Sequence, residues 1–183
     1  MLSIQTKLTP VALMLLASCG IAAADECSTA MLSGDYDASF HTVRLGLLSG
    51  NPPTSTPFPT GQSIADGVAV YSFDGQGNFT DLNFAMRDGV PNVPAGTPGL
   101  TSDGFISQSG TYHINPDCTG AGTMSQPNLS TTFAIVVGDR GRTFRIVGTS
   151  LHVATIPGNP DCASGCDLAA QITQDGEKIF ARR

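Results

Sequence analysis

Positive charge is scarce in this sequence: 9 Lys and Arg side chains stand against 15 Asp and Glu side chains, and the formal net charge is −6. Because nucleic acids and anionic membrane surfaces are themselves negatively charged, we expect the protein to bind neither. Charged residues of both signs make up only 13% of the chain, whereas it contains 21 Gly and 12 Pro. This composition is typical of short strands joined by turns and excludes a highly charged disordered chain.

Long apolar runs are absent apart from one near the N-terminus. The run from Leu8 to Ala17 has the length of a signal-peptide core and is too short for a permanent transmembrane helix, so we do not expect an integral membrane protein. The small residues Ala22–Ala24 predict cleavage that removes 1–24 as a signal peptide and leaves 25–183 as a single exported domain, periplasmic or secreted. Alternatively, the four residues ending at Cys19 resemble a bacterial lipobox, and a lipid on Cys19 would anchor the protein to the envelope.

Familiar catalytic and metal-binding motifs are missing as well. The sequence has no G-x-S-x-G nucleophile elbow, no P-loop and no H-E-x-x-H zinc motif. Its three histidines, His41, His113 and His152, stand beside larger apolar residues in predicted strands, so alternation points them outward. The stretch from Asp74 to Asn78 lacks the acidic twelfth residue of an EF-hand, and we interpret it as a turn. We therefore predict no catalytic residue, no metal site and no cofactor, and expect a binding protein more than an enzyme.

Alternating apolar and polar residues recur along the rest of the chain, and turn sequences separate them. Tight turns are predicted at 74–77, 115–120 and 138–141, where glycine accepts the backbone conformation that such turns need. The alternating segments, which include Gly67 to Phe73 and Asn78 to Met86, predict about eight antiparallel strands and no amphipathic helix. We therefore expect an all-β fold. It should be a single antiparallel up-and-down β-barrel, whose closure removes exposed edges, with a β-sandwich as the alternative.

The lengths of the connections predict where a site would lie. In an up-and-down barrel the connections alternate between the two ends, and the three tight turns all fall at one of them. The long connections fall together at the other end: Gly46 to Ile64, Asp88 to Asp103, and Thr155 to Asp167. A rim built from long loops is a common place for a binding site. Candidate interior or rim residues are the aromatic side chains that alternation points inward: Tyr36, Phe40, Tyr71, Phe73 and Tyr112.

Four cysteines follow the predicted signal peptide, and four cysteines allow three disulfide connectivities. Cys27 precedes the first strand and so lies at the tight-turn end, where Cys118 also lies. We therefore predict a Cys27–Cys118 bond together with a Cys162–Cys166 bond that stiffens one segment of the rim. A free or metal-bound dithiol is a poor alternative for the second pair, because of its C-x-x-x-C spacing and the oxidising compartment.

Three stretches of the chain resemble a group of uncharacterised exported bacterial proteins. The stretches run from Cys27 to Tyr36, from Tyr71 to Asn78 and from Ser109 to Gly120. They are similar to the patterns C-S-x-A-x-L-x-G-x-Y, F-D-G-x-G-N and G-x-Y-x-V-N-x-D-C-T-G, and the hairpin from Phe133 to Arg145 is similar as well, although the last two cysteines depart from the pattern. This group in turn distantly resembles the allene oxide cyclase barrel, a calycin-type fold. The resemblance implies a barrel and carries no activity.

Three functions are compatible with these observations. The first is an exported, non-enzymatic barrel that binds a small apolar ligand or a protein partner at its loop-rich rim. The second, implied only by the fold resemblance, is an isomerase or cyclase that uses the barrel interior, for which Asp81 and Asn83 are the polar candidates. The third is a purely structural protein of the cell envelope. Because Val136 and Val147 point away from the predicted interior, the hairpin over 131–147 is also a candidate surface for homo-oligomer formation.

Overall fold

A computed structural model describes residues 26–50, 52–93, 97, 99–156 and 159–179, so the predicted signal peptide and Cys19 lie outside the described residues. The strands are β1 (Ser33–Ser49), β2 (Thr54–Pro57), β3 (Ser63–Asp74), β4 (Asn78–Arg87), β5 (Val90–Pro91), β6 (Ile106–Ile114), β7 (Thr119–Gln126), β8 (Leu129–Gly138), β9 (Thr143–Val153) and β10 (Cys166–Lys178). Three 3₁₀-helical turns accompany them at Thr29–Met31, Asp139–Gly141 and Pro160–Cys162. No helix within the described ranges is long and apolar enough to cross a membrane.

Eight of the strands form a closed antiparallel barrel. Around the ring the order is β1-β3-β4-β6-β7-β8-β9-β10, and β10 pairs back onto β1 from Tyr36–Lys178 to Leu47–Leu168. β2 and β5 lie outside the ring, where they pair with β1 and β4 respectively. The predicted all-β, up-and-down barrel of about eight strands is confirmed, and the sandwich alternative is wrong.

The segment before β1 closes the end of the barrel that carries the tight turns. Leu32 is fully buried there, and its carbonyl accepts a hydrogen bond from the Tyr112 hydroxyl at 2.7 Å. The Thr29 hydroxyl accepts a hydrogen bond from the Ile114 backbone N–H at 3.1 Å. The predicted Cys27–Cys118 disulfide bond is confirmed and ties the same segment to the turn between β6 and β7. This end of the barrel is therefore plugged.

An aromatic core fills the half of the barrel next to this plug. Its buried rings are Tyr36, Tyr71, Phe73, Phe79, Tyr112, Phe133 and Phe144. Neighbouring rings meet at the distances and angles typical of aromatic pairs; the Tyr36 and Phe73 centroids, for example, lie 5.3 Å apart, edge to face. This half of the interior is filled with side chains rather than open.

Glycines on neighbouring strands make room for several of these rings. In four cross-strand pairs a phenylalanine lies opposite a glycine and its ring covers the place where a Cβ would be: Phe40–Gly67, Phe79–Gly110, Phe133–Gly122 and Phe144–Gly176. A glycine inside a strand is unfavourable by itself, and a covering ring offsets that cost. These four strand glycines are thus packing positions.

Replacing Gly176 by alanine should lower the free energy of unfolding by about 1–3 kcal/mol. The added Cβ would lie 2.3 Å from Cε1 of the Phe144 ring, which is buried and packs against three other rings. Urea unfolding of the variant checks this. The double variant Gly176→Ala, Phe144→Leu should lose less than the two single variants together, because the smaller side chain makes room. Fully additive losses would show that the ring does not restrict residue 176.

A second, smaller apolar cluster lies at the loop-rich end. Its buried members are Leu151, Val153, Cys162, Leu168 and Ile172. The predicted Cys162–Cys166 disulfide bond is confirmed and belongs to this cluster. The two clusters leave a band between them in the middle of the barrel, and that band is polar.

Candidate functional site

Polar side chains occupy inward positions between the two apolar clusters. The buried members of this band are Thr42, Asp81, Asn83, Gln108, Thr131 and Gln174. They surround a cavity of about 70 Å³, here called the inner cavity. A space of this size accommodates a few water molecules or a polar head group, whereas drug-sized ligands need several hundred Å³.

Hydrogen bonds fix most of the polar band. The Tyr71 hydroxyl, at the border with the aromatic core, donates to Oε1 of Gln174. The Asn83 amide donates to Oδ2 of Asp81 at 3.2 Å and to the Ile106 carbonyl at 3.3 Å. These bonds hold the side chains in set orientations, so the band is a structured wall of the cavity.

Arg44 continues the inward face of β1 beyond Thr42, toward the loop-rich end. Directly after Arg44 the pairing of β1 with β10 is irregular, because Arg44 lies opposite Ala170 and Gly46 opposite Ala169. A bulge of this kind bends a strand and re-aims its side chains, and bulges often occur beside functional sites. Arg44 lines the inner cavity, on the side of the strand that alternation predicts.

Arg87 reaches the same cavity from the end of β4. Its guanidinium donates to Oδ1 of Asn92 and, at 3.2 Å, to the hydroxyl of Ser63. The neighbouring Asp88 is exposed, and its carboxylate accepts hydrogen bonds from the Ile64 N–H at 2.8 Å and the Ser63 hydroxyl at 2.7 Å. These hydrogen bonds, followed by the charges of the two arginines, lower the pKa of Asp88. Arg87 is thus held in place by neutral groups, with one carboxylate nearby.

Burial changes the acid–base properties of the charged groups around the cavity. It lowers the pKa of Arg44 to about 10, and the positive charge of Arg87 acts in the same direction against the opposing effect of Asp88. Burial also raises the pKa of Asp81 to about 7, although the hydrogen bond from Asn83 opposes this rise. At neutral pH the Arg44 guanidinium is therefore charged while Asp81 is only partly ionised.

Three buried polar atoms around the cavity have no hydrogen-bond partner in the described part of the chain. They are Nε of Arg44, Oδ1 of Asp81 and Oε1 of Gln108, and all three residues line the inner cavity. Most buried polar atoms in proteins are paired, and each unpaired one costs about 1–3 kcal/mol. Their concentration around one cavity marks it as the candidate site.

A wider cavity of about 390 Å³, here called the vestibule, opens at the loop-rich end. Its apolar wall is formed mainly by Ile106, Leu129, Val153 and Ile156. Arg44 lines both this cavity and the inner one, as do Ile106 and Leu129, so the two spaces adjoin. The volume of the vestibule falls within the range of small-molecule sites.

The predicted rim is partly correct in its composition. The connections after β5 and after β9 line the vestibule, joined by the short turn between β7 and β8. By contrast, no described residue of the connection from Gly46 to Ile64 lines either cavity. Part of that connection forms β2, and its Phe58 packs against the second apolar cluster. Its role is therefore structural.

The structure separates the five aromatic candidates into two groups. Tyr36, Phe73 and Tyr112 belong to the packed core and lie away from the rim. Phe40 and Tyr71 line the inner cavity. The first group helps to fill the closed half of the barrel. Tyr71 belongs to that packed core as well and lines the inner cavity at its border.

The interior contains two polar residues that the sequence analysis named and several that it did not. Asp81 and Asn83 are buried inside the barrel, where their alternation with Phe79 places them. They share the interior with Arg44, Arg87, Gln108, Gln126 and Gln174. The available signal was the same alternation: Arg44, for example, lies four positions after Phe40 and therefore faces the same side.

The histidines and the acidic turn lie on the outer surface. Nδ1 of His41 lies 2.7 Å from Oδ1 of Asp66, and Nδ1 of His152 lies 2.9 Å from Oδ1 of Asp167, while His113 is exposed. The Asp74 carboxylate accepts hydrogen bonds from Gln76 and Asn78 within its own turn. Among the described residues, no three His, Cys, Asp or Glu side chains group together so that they could hold a metal ion.

No family model, curated protein or solved structure matches this chain. The resemblance to exported bacterial barrels and to the allene oxide cyclase barrel stays a prediction.

Proposed function

We propose that this protein is an exported, non-enzymatic barrel that binds a small, largely apolar ligand in the vestibule at its loop-rich end. The observation that carries this proposal is a vestibule of about 390 Å³ with apolar walls at one end of a barrel whose other end is plugged. Its concave shape favours a small molecule over the alternative of a protein partner.

The two disulfide bonds are consistent with an oxidising environment. Together with the signal peptide predicted at 1–24, they support a periplasmic or secreted location for this binding function. Lipidation at Cys19 would place the same site at the envelope surface.

Filling the vestibule should weaken binding without unfolding the protein. We expect Leu129→Trp to weaken binding of the fluorescent probe 8-anilinonaphthalene-1-sulfonate, an anion with a large apolar body, at least about tenfold, because the indole takes up space that the ligand needs. The probe's fluorescence, excited directly, measures its affinity. The wild-type chain contains no Trp, so the new indole also reports the probe by energy transfer.

Val136→Trp is the matched control for this experiment. Val136 lies on β8 as well, but its side chain is 53% exposed on the outer face of the barrel. This control should bind the probe like the wild type. Equal affinity in the Leu129→Trp variant, or no probe binding by the wild type, would contradict the proposal.

An isomerase or cyclase is the second candidate, and one observation favours it. Asp81 is a buried carboxyl group on the cavity wall whose pKa is raised to about 7, which suits proton transfer near neutral pH.

The two functions are separated by the fate of a ligand that native mass spectrometry detects on the purified protein. This ligand is extracted and followed by NMR. A ligand that stays unchanged when incubated with fresh protein supports a carrier. A ligand that is converted by the wild type and not by Asp81→Asn supports an isomerase or cyclase. Finding no ligand and no probe binding would favour the third reading, a structural envelope protein.

A further inference from the structure

We propose that the ligand of this barrel is an organic acid, whose carboxylate binds between Arg44 and Arg87 while its apolar body occupies the vestibule. The inference rests on the proposed function, because it names the chemical class of the molecule that enters the same site. It differs from that function in requiring a negative charge on the ligand.

The position of Arg44 is the first support. Arg44 and Asn92 line both the vestibule and the inner cavity, and therefore stand at the junction between the two spaces. Arg87, which donates to Asn92, lines the inner cavity. A molecule that enters from the vestibule with its polar end first meets these guanidinium groups before the rest of the polar band.

The charge balance at this junction is the second support. Neither guanidinium forms an ion pair with a described residue, and Asp88 is the one carboxylate that acts on both. Asp88 is exposed, and its oxygens already accept hydrogen bonds from Ser63 and Ile64. The junction therefore carries an excess of positive charge, although the whole chain is acidic.

The third support is the unpaired hydrogen-bond donor. Nε of Arg44 is buried without a hydrogen-bond partner among the described residues. A partly buried guanidinium is stabilised by an acceptor that is itself negatively charged, and the planar fork of arginine fits the two oxygens of a carboxylate. A bound carboxylate would thus supply the partner that the protein does not.

The walls around the junction select among anions. Inorganic phosphate would fit the arginines but would leave the apolar surface of Ile106, Leu129 and Ile156 without a contact. An acid with an aliphatic or aromatic body satisfies both parts of the site. The inner cavity, at about 70 Å³, has room for the head group only, so the body must lie in the vestibule.

A pair of matched probes tests the carboxylate. Octanoate and 1-octanol have the same chain, and isothermal titration calorimetry measures the affinity of the full mature protein for each. Octanoate should bind at least about tenfold more tightly than 1-octanol, since a hydrogen bond to a charged group contributes at least that factor. Arg44→Met should remove this preference by weakening octanoate alone, and Arg44→Lys, which keeps the charge without the fork, should show an intermediate loss.

Arg145→Met is the control for the loss of one positive charge. The Arg145 side chain is 84% exposed on the outer surface, where it pairs with Asp175. This variant should bind both probes like the wild type, and circular dichroism melting should show that all variants are folded.

The possible outcomes separate the two proposals. If the wild type binds octanoate and 1-octanol equally, or if Arg44→Met and Arg44→Lys keep the preference for octanoate, the ligand is not an organic acid. The proposed binding function is then unaffected. If neither probe binds, both proposals are wrong. If inorganic phosphate displaces octanoate with comparable affinity, the junction is a phosphate site and the proposal of an organic acid is wrong.

Discussion

Replacing Cys27 and Cys118 together by alanine should lower the free energy of unfolding by about 4–5 kcal/mol, whereas the same change at Cys162 and Cys166 should cost about 2 kcal/mol through loop closure. The two bonds join residues 91 and 4 positions apart, respectively. A disulfide restricts the unfolded chain, and this restriction grows with the length of the loop that it closes. Urea unfolding of the two double variants under identical non-reducing conditions gives the comparison.

The effect of the first bond should be concentrated at the plugged end. Cys27 donates a backbone hydrogen bond to Pro116 at 3.2 Å, and the following residues cover the aromatic core. Hydrogen exchange should therefore accelerate first at Leu32 and Ile114, whose amides lie in and against this plug. Equal losses of stability in the two variants would contradict the loop-closure account. They would show that local packing of the sulfur atoms dominates instead.

The barrel itself could be predicted because its determinants are local. The turn after β3 contains Gly75 and Gly77 with φ of 72° and 103°, conformations that favour glycine over other residues. The strands on either side place Tyr71, Phe73 and Phe79 inward by simple alternation. Several hairpins of this type leave few alternatives to an antiparallel barrel.

The closing strand was harder to predict because its inward positions are not apolar. β10 points Gln174 and Gly176 into the barrel, so the alternation of apolar and polar residues is weak there. Gln174 accepts the hydrogen bond of Tyr71, and Gly176 lies under the ring of Phe144. Both partners are distant in sequence, and only the folded barrel brings them together.

The candidate site was predicted only in part, for a related reason. Alternation indicated Asp81 and Asn83 as polar residues of the interior. Sequence patterns otherwise assume that inward residues are apolar, and so they did not indicate the arginines. Arg44 and Arg87 are 43 positions apart, and nothing local indicates that they share a cavity. The irregular pairing after Arg44 and the pairing of β2 with β1 also depend on contacts between strands.

A second large effect is expected at Asp81. Asp81→Asn should make the protein more stable than the wild type at pH 8, by up to about 4 kcal/mol, and should make little difference at pH 4. The pKa of Asp81 is about 7 in the folded protein, because the carboxyl is buried. In the unfolded chain it is about 3.9. Between these values the folded protein binds more protons than the unfolded chain. The stability of the wild type therefore falls as pH rises from about 4 to about 7, and levels off above.

Asparagine keeps the shape of the side chain and has no charge to bury, so its curve lacks this fall. Urea unfolding of both proteins at several pH values measures the difference. Asp117→Asn is a control with the opposite sign: hydrogen bonds from Thr119 lower the pKa of this exposed carboxyl, and its loss should destabilise the protein at neutral rather than at acidic pH. A pair of curves that run parallel from pH 4 to pH 8 would contradict the prediction. They would show that the pKa of Asp81 is the same in the folded and the unfolded protein, so that its carboxyl is ionised at neutral pH.

Parallel stability curves would also affect the expected affinity for a carboxylate ligand. An ionised Asp81 would add a negative charge to the cavity that Arg44 and Arg87 line, and would reduce the attraction for a carboxylate. If Asp81 instead takes up a proton near pH 7, the cavity is most positive below that pH. Octanoate affinity should then decrease as pH rises through about 7, and the decrease should disappear in Asp81→Asn. The pH dependence of stability and the pH dependence of octanoate affinity thus report the same proton on Asp81. Stability reports the cost of burying the ionised carboxylate, and octanoate affinity reports its repulsion of the bound carboxylate.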